Sequence, residues 1–116
     1  MPTVLSNVAQ GMPAFDEEMF GPVAAITRVP NVDAAVDAAN ASQFGLSGNI
    51  WTGNVDLARR MARDLYTGGV FINGVTASDP RVPVGGVKNS GYGRELSYFG
   101  AHAFVNAQTV WIENEA

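Results

Sequence analysis

The sequence holds no cysteine. That absence excludes a disulfide framework and thiolate metal sites, and it excludes a cysteine nucleophile drawn from these residues. Histidine is nearly absent as well. His102 stands alone, so a histidine metal cluster or a Ser-His-Asp triad has one ring to work with, and a surface or helix-packing role is the better reading. No metal is expected. Basic residues are scarce, with seven Lys and Arg against eleven Asp and Glu for a formal net charge of −4. No run of them forms a basic face for phosphates, which argues against nucleic acid as a partner. Long apolar runs are missing too. Nothing approaches the roughly 18 residues of a membrane span, and the N-terminal stretch lacks the basic start and apolar core of a signal peptide. The expectation is a cytoplasmic protein with no membrane partner, in which the Asn40-Ala41-Ser42 sequon is a chance match.

What is present is apolar material for a core, since 47% of the residues are hydrophobic. At 116 residues the chain is one domain or a piece of one. Thr3 to Val8 reads weakly as a strand, closed by Gly11-Met12-Pro13. Val23, Ala24, Ala25, Ile26 and Val29 follow a Gly21-Pro22 break and stop at Pro30, as a short buried strand does. Asn31 is a candidate N-cap, and Val32, Ala35, Val36 and Ala39 then recur with a helical period as far as about Ser42. Gly45 to Thr52 reads as another strand. Asn54 opens a second helix, with Leu57, Ala58, Met61, Ala62 and Leu65 on one face and Arg59, Arg60, Arg63 and Asp64 mostly on the other, ending at Gly68-Gly69. Val70-Phe71-Ile72 is a third apolar strand. Strands alternating with helices give an α/β class built on a short, mostly parallel sheet with flanking helices.

From Asn73 to Arg94 neither period holds, and glycines and prolines punctuate the stretch. A loop of about twenty residues is uncommon in a compact domain unless it lines a functional site. Pro80, Val82, Pro83, Val84 and Val87 make this one too apolar for a solvated linker, so it is expected to pack against something. Glu95 to Phe104 can form a short helix, and Val105 to Glu113 a last strand whose partner is a distant segment or another subunit.

Three motifs need weighing. Gly91-Tyr92-Gly93 starts like a dinucleotide fingerprint, but the third glycine position holds Leu96, and that reading fails. Gly85-Gly86-Val87-Lys88-Asn89-Ser90 lacks the spacing of a phosphate loop. Asp16-Glu17-Glu18 reads plainly as a solvated turn, yet it leads straight into Phe20 and a rigid Gly21-Pro22 turn. A carboxylate there could accept from both hydroxyls of a ribose diol, with a ring beside it to support a flat heterocycle.

Glu17-Glu18-Met19-Phe20-Gly21-Pro22-Val23 resembles the E-E-x-F-G-P-V motif of the NAD(P)-dependent aldehyde dehydrogenase superfamily. In the expected order follow Ala39-Asn40 with Phe44-Gly45-Leu46, then Trp51-Thr52, Gly69-Val70-Phe71-Ile72-Asn73, Gly85 to Glu95, and Thr109-Val110-Trp111-Ile112. The resemblance runs from Phe15 to Ile112.

It implies a chemistry of which this chain holds one part. Such enzymes attack an aldehyde with a cysteine, pass hydride to NAD(P) and hydrolyse the thioester with water activated by a glutamate. In the family both groups precede the E-E-x-F-G-P motif. The resemblance therefore implies a C-terminal fragment, with 15–104 belonging to the catalytic domain, 73–94 to its substrate loop, and 105–113 to an oligomerisation strand. By motif position, Glu18 matches the carboxylate that binds the nicotinamide ribose and Phe20 the ring on the nicotinamide side. Glu95 matches a glutamate assigned to proton relay in some members, and Arg94 is structural. Ser78-Asp79-Pro80-Arg81 resembles the subgroup that oxidises succinate semialdehyde, where a serine hydroxyl, here Ser78, helps hold the distal carboxylate. One departure falls at Val84, where the family usually has phenylalanine, so the wall of the substrate pocket loses a ring. The parent enzyme is expected to use NAD or NADP, and this chain alone to bind either weakly or not at all, to be inactive, and to associate with itself or with the missing N-terminal part. The alternative is a non-catalytic oligomerisation or regulatory module derived from such an enzyme.

Overall fold

The computed structural model describes residues 1–114. Among the described residues, six short strands and four helices follow in order as β1 (Thr3–Ser6), α1 (Pro13–Asp16), β2 (Val23–Ile26), α2 (Val32–Ala41), β3 (Phe44–Gly45), β4 (Ser47–Ile50), α3 (Val55–Asp64), β5 (Gly69–Ile72), β6 (Val87–Lys88) and α4 (Ser97–His102). Both long helices begin where the sequence places them. The Asn31 carboxamide accepts from the Ala34 N–H at 2.8 Å and that of Asn54 from the Leu57 N–H at 2.9 Å, each satisfying one of the donors that a helix start leaves unpaired.

The α/β class and the short, mostly parallel strand pairing hold, with the strands divided among three separate pairs. β1 lies parallel to β2 and β4 parallel to β5, whereas β3 runs antiparallel to β6. The stretch expected as one strand from Gly45 to Thr52 divides at Leu46, because Gly45 pairs with Val87 while Ser47 pairs with Gly69. The α3 helix ends at Asp64, before the glycines expected to stop it. Residues 73–94 are mainly loop, but β6 and an isolated bridge between Val84 and Glu95 interrupt them.

Residues 105–114 form no helix and no ladder within the chain, and all are exposed. The last strand expected over 105–113 is thus not made here, since a strand exists only with a partner for its N–H and C=O groups.

Only Val8, Ile50 and Ala58 are buried apolar residues among those described. Ala58 sits on the face of α3 that lies over β5, where all four strand residues are half-buried. By contrast α2 buries nothing, and its expected apolar stripe leaves Val32 and Ala39 exposed. The radius of gyration is 19.2 Å, where a compact domain of this length has about 13 Å. The accessible surface is 9107 Å², where a folded monomer of this mass exposes about 6,100 Å². Phe20, Trp51, Phe104 and Trp111 are each more than 65% exposed. Among the described residues no helix is long and apolar enough to cross a membrane.

The Asn54 cap carries a measurable consequence. Asn54→Ala should lower stability by about 1 kcal/mol, and Asn54→Gly by a few tenths, read as a shift in urea midpoint at unchanged slope. Equal losses for the two variants would contradict the capping role.

Candidate functional site

The glycine-rich motif at 85–95 is a backbone fastener rather than a phosphate cradle. Lys88 takes a left-handed φ of 53° and sends its Nζ to the carbonyls of Asn40 and Ser42, both at 2.8 Å. These carbonyls end α2, where no helical donor remains and a cation is favoured. The ammonium also lies 5.5 Å from the centre of the Tyr66 ring. Next to it, the Asn89 carboxamide donates to Gln43 Oε1 at 2.9 Å, and Ser90 Oγ accepts from the Gly45 N–H at 3.0 Å. Gly86 is buried against this turn, where a Cβ would stand 2.6 Å from Ser90 Cβ. Arg94 Nη1 donates to the Gly86 carbonyl at 3.0 Å, a structural contact.

Gln43 carries the fastening further. Its Nε2 donates to the Asp16 carbonyl at 2.8 Å, which holds the acidic run beside the turn. Glu18 consequently reaches the edge of a cleft of about 620 Å³, whose other walls include Ser42, Ser47, Asn49, Thr67 and Ser90. Its carboxylate is exposed and can accept from a pair of hydroxyls. Phe20 does not line this cleft, and is 92% exposed. The structure therefore keeps Glu18 and Phe20 two residues apart in sequence without bringing them to one cavity.

Ser78 and Val84 do meet. Both line a second cavity of about 150 Å³, together with Leu46, Phe71, Thr76 and Pro83. Leu46 and Ser47 border both spaces, so β4 and the residue before it form the partition between them. Glu95 lines neither. Its side chain is exposed, and its backbone exchanges two hydrogen bonds with Val84, at 2.7 and 2.9 Å. The signal for the partition was in the sequence, where Ser47 and Asn49 alternate on one face of a strand, but nothing there revealed their partner.

At the outer end of the loop, the Arg81 guanidinium grips Asp79 with Nε to Oδ1 at 2.9 Å and Nη2 to Oδ2 at 2.6 Å. The Arg81 N–H donates to Oδ1 as well, at 2.9 Å. The side-chain bonds first and the backbone bond second hold the Asp79 carboxyl below the usual carboxylate range, and the same pair raises Arg81. His102 lies in α4 with its ring 4.0 Å from that of Tyr98.

Paired parallel strands with helices laid on them, a sparse core and two cavities sharing one wall define part of an α/β domain larger than this chain. The chain belongs to the aldehyde dehydrogenase family, whose sequence pattern matches residues 1–110. It is 61% identical over 110 residues to a succinate semialdehyde dehydrogenase of Escherichia coli strain K12, named for NAD(P)+, covering 95% of this chain and 24% of that enzyme. It is 51% identical over 111 residues to a succinate-semialdehyde dehydrogenase of Mycobacterium bovis, named for NADP+, covering 96% of this chain and again 24% of the relative. Among solved structures, succinic semialdehyde dehydrogenase from Streptococcus pyogenes with NADP+ superposes with a TM-score of 0.92 at 41% identity, over 98% of this chain and 25% of that one. The chain thus spans about a quarter of the length of the curated relatives it matches.

The Asp79–Arg81 fork gives a pH-dependent readout. A carboxyl whose folded pKa is depressed contributes order above its unfolded value and loses it as pH falls through the folded one. The Asp79 carboxyl carbon, followed by NMR, should titrate below other exposed carboxyls, and Arg81→Gln should move its midpoint up into the ordinary range near 4. No change on removing the guanidinium would contradict the fork.

Proposed function

We propose that the chain is the C-terminal part of a cytoplasmic succinate-semialdehyde-type aldehyde dehydrogenase. It forms one edge of the NAD(P) site and one wall of the pocket for the substrate's tail. The observation that carries this reading is the meeting of Ser78 and Val84 in one cavity that shares Leu46 and Ser47 with the cleft bearing Glu18. The high identity to relatives named for succinate semialdehyde supports the substrate class.

Each residue then has a task of placement. The Ser78 hydroxyl donates to the carboxylate at the far end of the substrate. Glu18 accepts from the nicotinamide ribose, and Phe20 supports the ring side once the remaining polypeptide closes over it. Val84 widens the tail pocket where the family's phenylalanine would narrow it. Glu95 assists proton transfer from the rim. The cofactor, when bound, supplies the hydride acceptor. Orientation of this kind governs how readily hydride moves. With no cysteine in the sequence, the nucleophile comes from the remaining polypeptide, as does the base, and the chain alone neither turns over aldehyde nor binds the cofactor tightly.

Combining the chain with the matching N-terminal three-quarters of the E. coli relative tests this. NAD(P)+ reduction with succinate semialdehyde should appear only with both pieces, and turnover by the chain alone would overturn the reading. In the combined enzyme, Ser78→Ala should raise KM for succinate semialdehyde about tenfold, as loss of a hydrogen bond to a charged group does, and leave KM for butanal unchanged.

The exposed apolar surface and the ladder-less 105–114 segment also favour self-association of the isolated chain. Light scattering should report species larger than a monomer, and a monodisperse monomer at high concentration would rule it out.

A further inference from the structure

We infer that Thr76 is a positioning residue for the substrate loop, acting through Ser47 and Asn49 of β4. This rests on the tail-binding role proposed for Ser78. The Thr76 hydroxyl donates to Asn49 Oδ1 at 3.0 Å. It lies 3.0 Å from Ser47 Oγ as well. A threonine hydroxyl has one proton, already given to Asn49, so Ser47 is the donor in the second bond. The result is a directed chain from Ser47 through Thr76 to Asn49. Ser47 and Asn49 stand two residues apart on one face of β4, the spacing that brings two strand side chains to the same side. The loop residue seats its oxygen between them.

The location gives this chain its consequence. Ser47 and Asn49 line the cleft that holds Glu18, while Ser47 and Thr76 line the cavity that holds Ser78. The three side chains therefore cross the partition between the two spaces. Strand β4 is fixed on its other side by its ladder with β5. Ser78 follows Thr76 by two residues, and the far end of the loop is tied by the Val84–Glu95 pair and by the Ser97 N–H donating to the Pro80 carbonyl at 3.0 Å. Between Asn73 and Pro80, Thr76 is the residue whose side chain anchors the loop to a strand. Freeing it lets Ser78 drift while the remainder of the cavity wall stays in place, so binding of a charged tail weakens and the chemistry at the other end is spared.

The test uses the combined enzyme described above. Thr76→Val keeps the shape and removes both hydrogen bonds of the hydroxyl, and it should raise KM for succinate semialdehyde about fivefold, within the range that lost exposed hydrogen bonds give. The kcat should stay within about twofold, KM for butanal should not move, and Thr76→Ser should restore the original KM. Asn49→Ala should reproduce the effect, and the double variant should be no worse than either single one, because both cut the same chain. If Thr76→Val raises KM for both aldehydes alike, lowers kcat, or is not rescued by serine, the inference is overturned. If Ser78→Ala discriminates between the aldehydes while Thr76→Val does not, the Thr76 inference alone is lost. If Ser78→Ala does not discriminate, the reading of Ser78 falls and takes the inference with it. Should the combined enzyme be inactive, amide exchange in the isolated chain decides. Thr76→Val should speed exchange at Ala77 and Ser78 and Thr76→Ser should not, and unchanged exchange overturns the anchoring role.

Discussion

One ammonium group holds together parts of the chain that are far apart in sequence. The carbonyls of Asn40 and Ser42 leave the end of α2 unsatisfied, and Lys88 bonds both from 48 and 46 residues downstream. Hydrogen bonds with a charged partner contribute about 1.5–3 kcal/mol each, enough to fix a turn that contains a left-handed lysine. Once Lys88 is seated, its neighbours have little choice. Asn89 meets Gln43, Ser90 meets Gly45, and β6 pairs with β3. Gln43 in turn holds the Asp16 carbonyl, which sets the acidic run and Glu18 at the cleft. The Asn40 side chain extends the arrangement to the end of α3, donating to the Asp64 carbonyl and accepting from the Tyr66 N–H, both at 2.7 Å.

This polar frame matters more here than in a domain with a full core. The three buried apolar residues among those described cannot supply the burial that normally offsets chain entropy. The surface exposed beyond that of a compact monomer of equal mass is about 3,000 Å². The exposed aromatics and the exposed residues at 101–114 contribute to that surface.

Local elements were legible in the sequence because their signals are local. Asn31 and Asn54 mark helix starts with their own side chains, and the apolar face of α3 announces itself by period. The family resemblance located Glu18, Ser78 and Val84, and the structure puts each beside a cavity. What sequence patterning could not supply was pairing between distant segments. Nothing in the order of residues shows that Gly45 leaves one ladder and Ser47 joins another, or that Thr76 finds a seat between Ser47 and Asn49. The short α1 was missed for a related reason. Its Pro13 reads as punctuation, although proline is well suited to the first turn of a helix. The last strand is expected to pair with a distant segment or another subunit, and because a ladder is a relation between two segments, Val105 to Glu113 form none within this one chain.

The partition between the two cavities carries the mechanical consequence of this arrangement. In the proposed enzyme the cofactor and the aldehyde must meet at a fixed separation, and errors of about an ångström are costly. Had the cleft and the tail cavity been built on different elements, that separation would vary with every relative motion of those elements. Here Leu46 and Ser47 face both, and β4 is locked by its ladder to β5, whose end is continued by Asn73. The Asn73 side chain accepts from the Thr52 N–H at 2.8 Å and donates to the Thr52 carbonyl at 2.9 Å, extending the pairing past the last strand residue. A strand clamped in this way moves as one piece, so a displacement of one cavity wall displaces the other with it. In the proposed enzyme, placement of the two ligands would thereby be reduced to the placement of one strand and the loop tied to it.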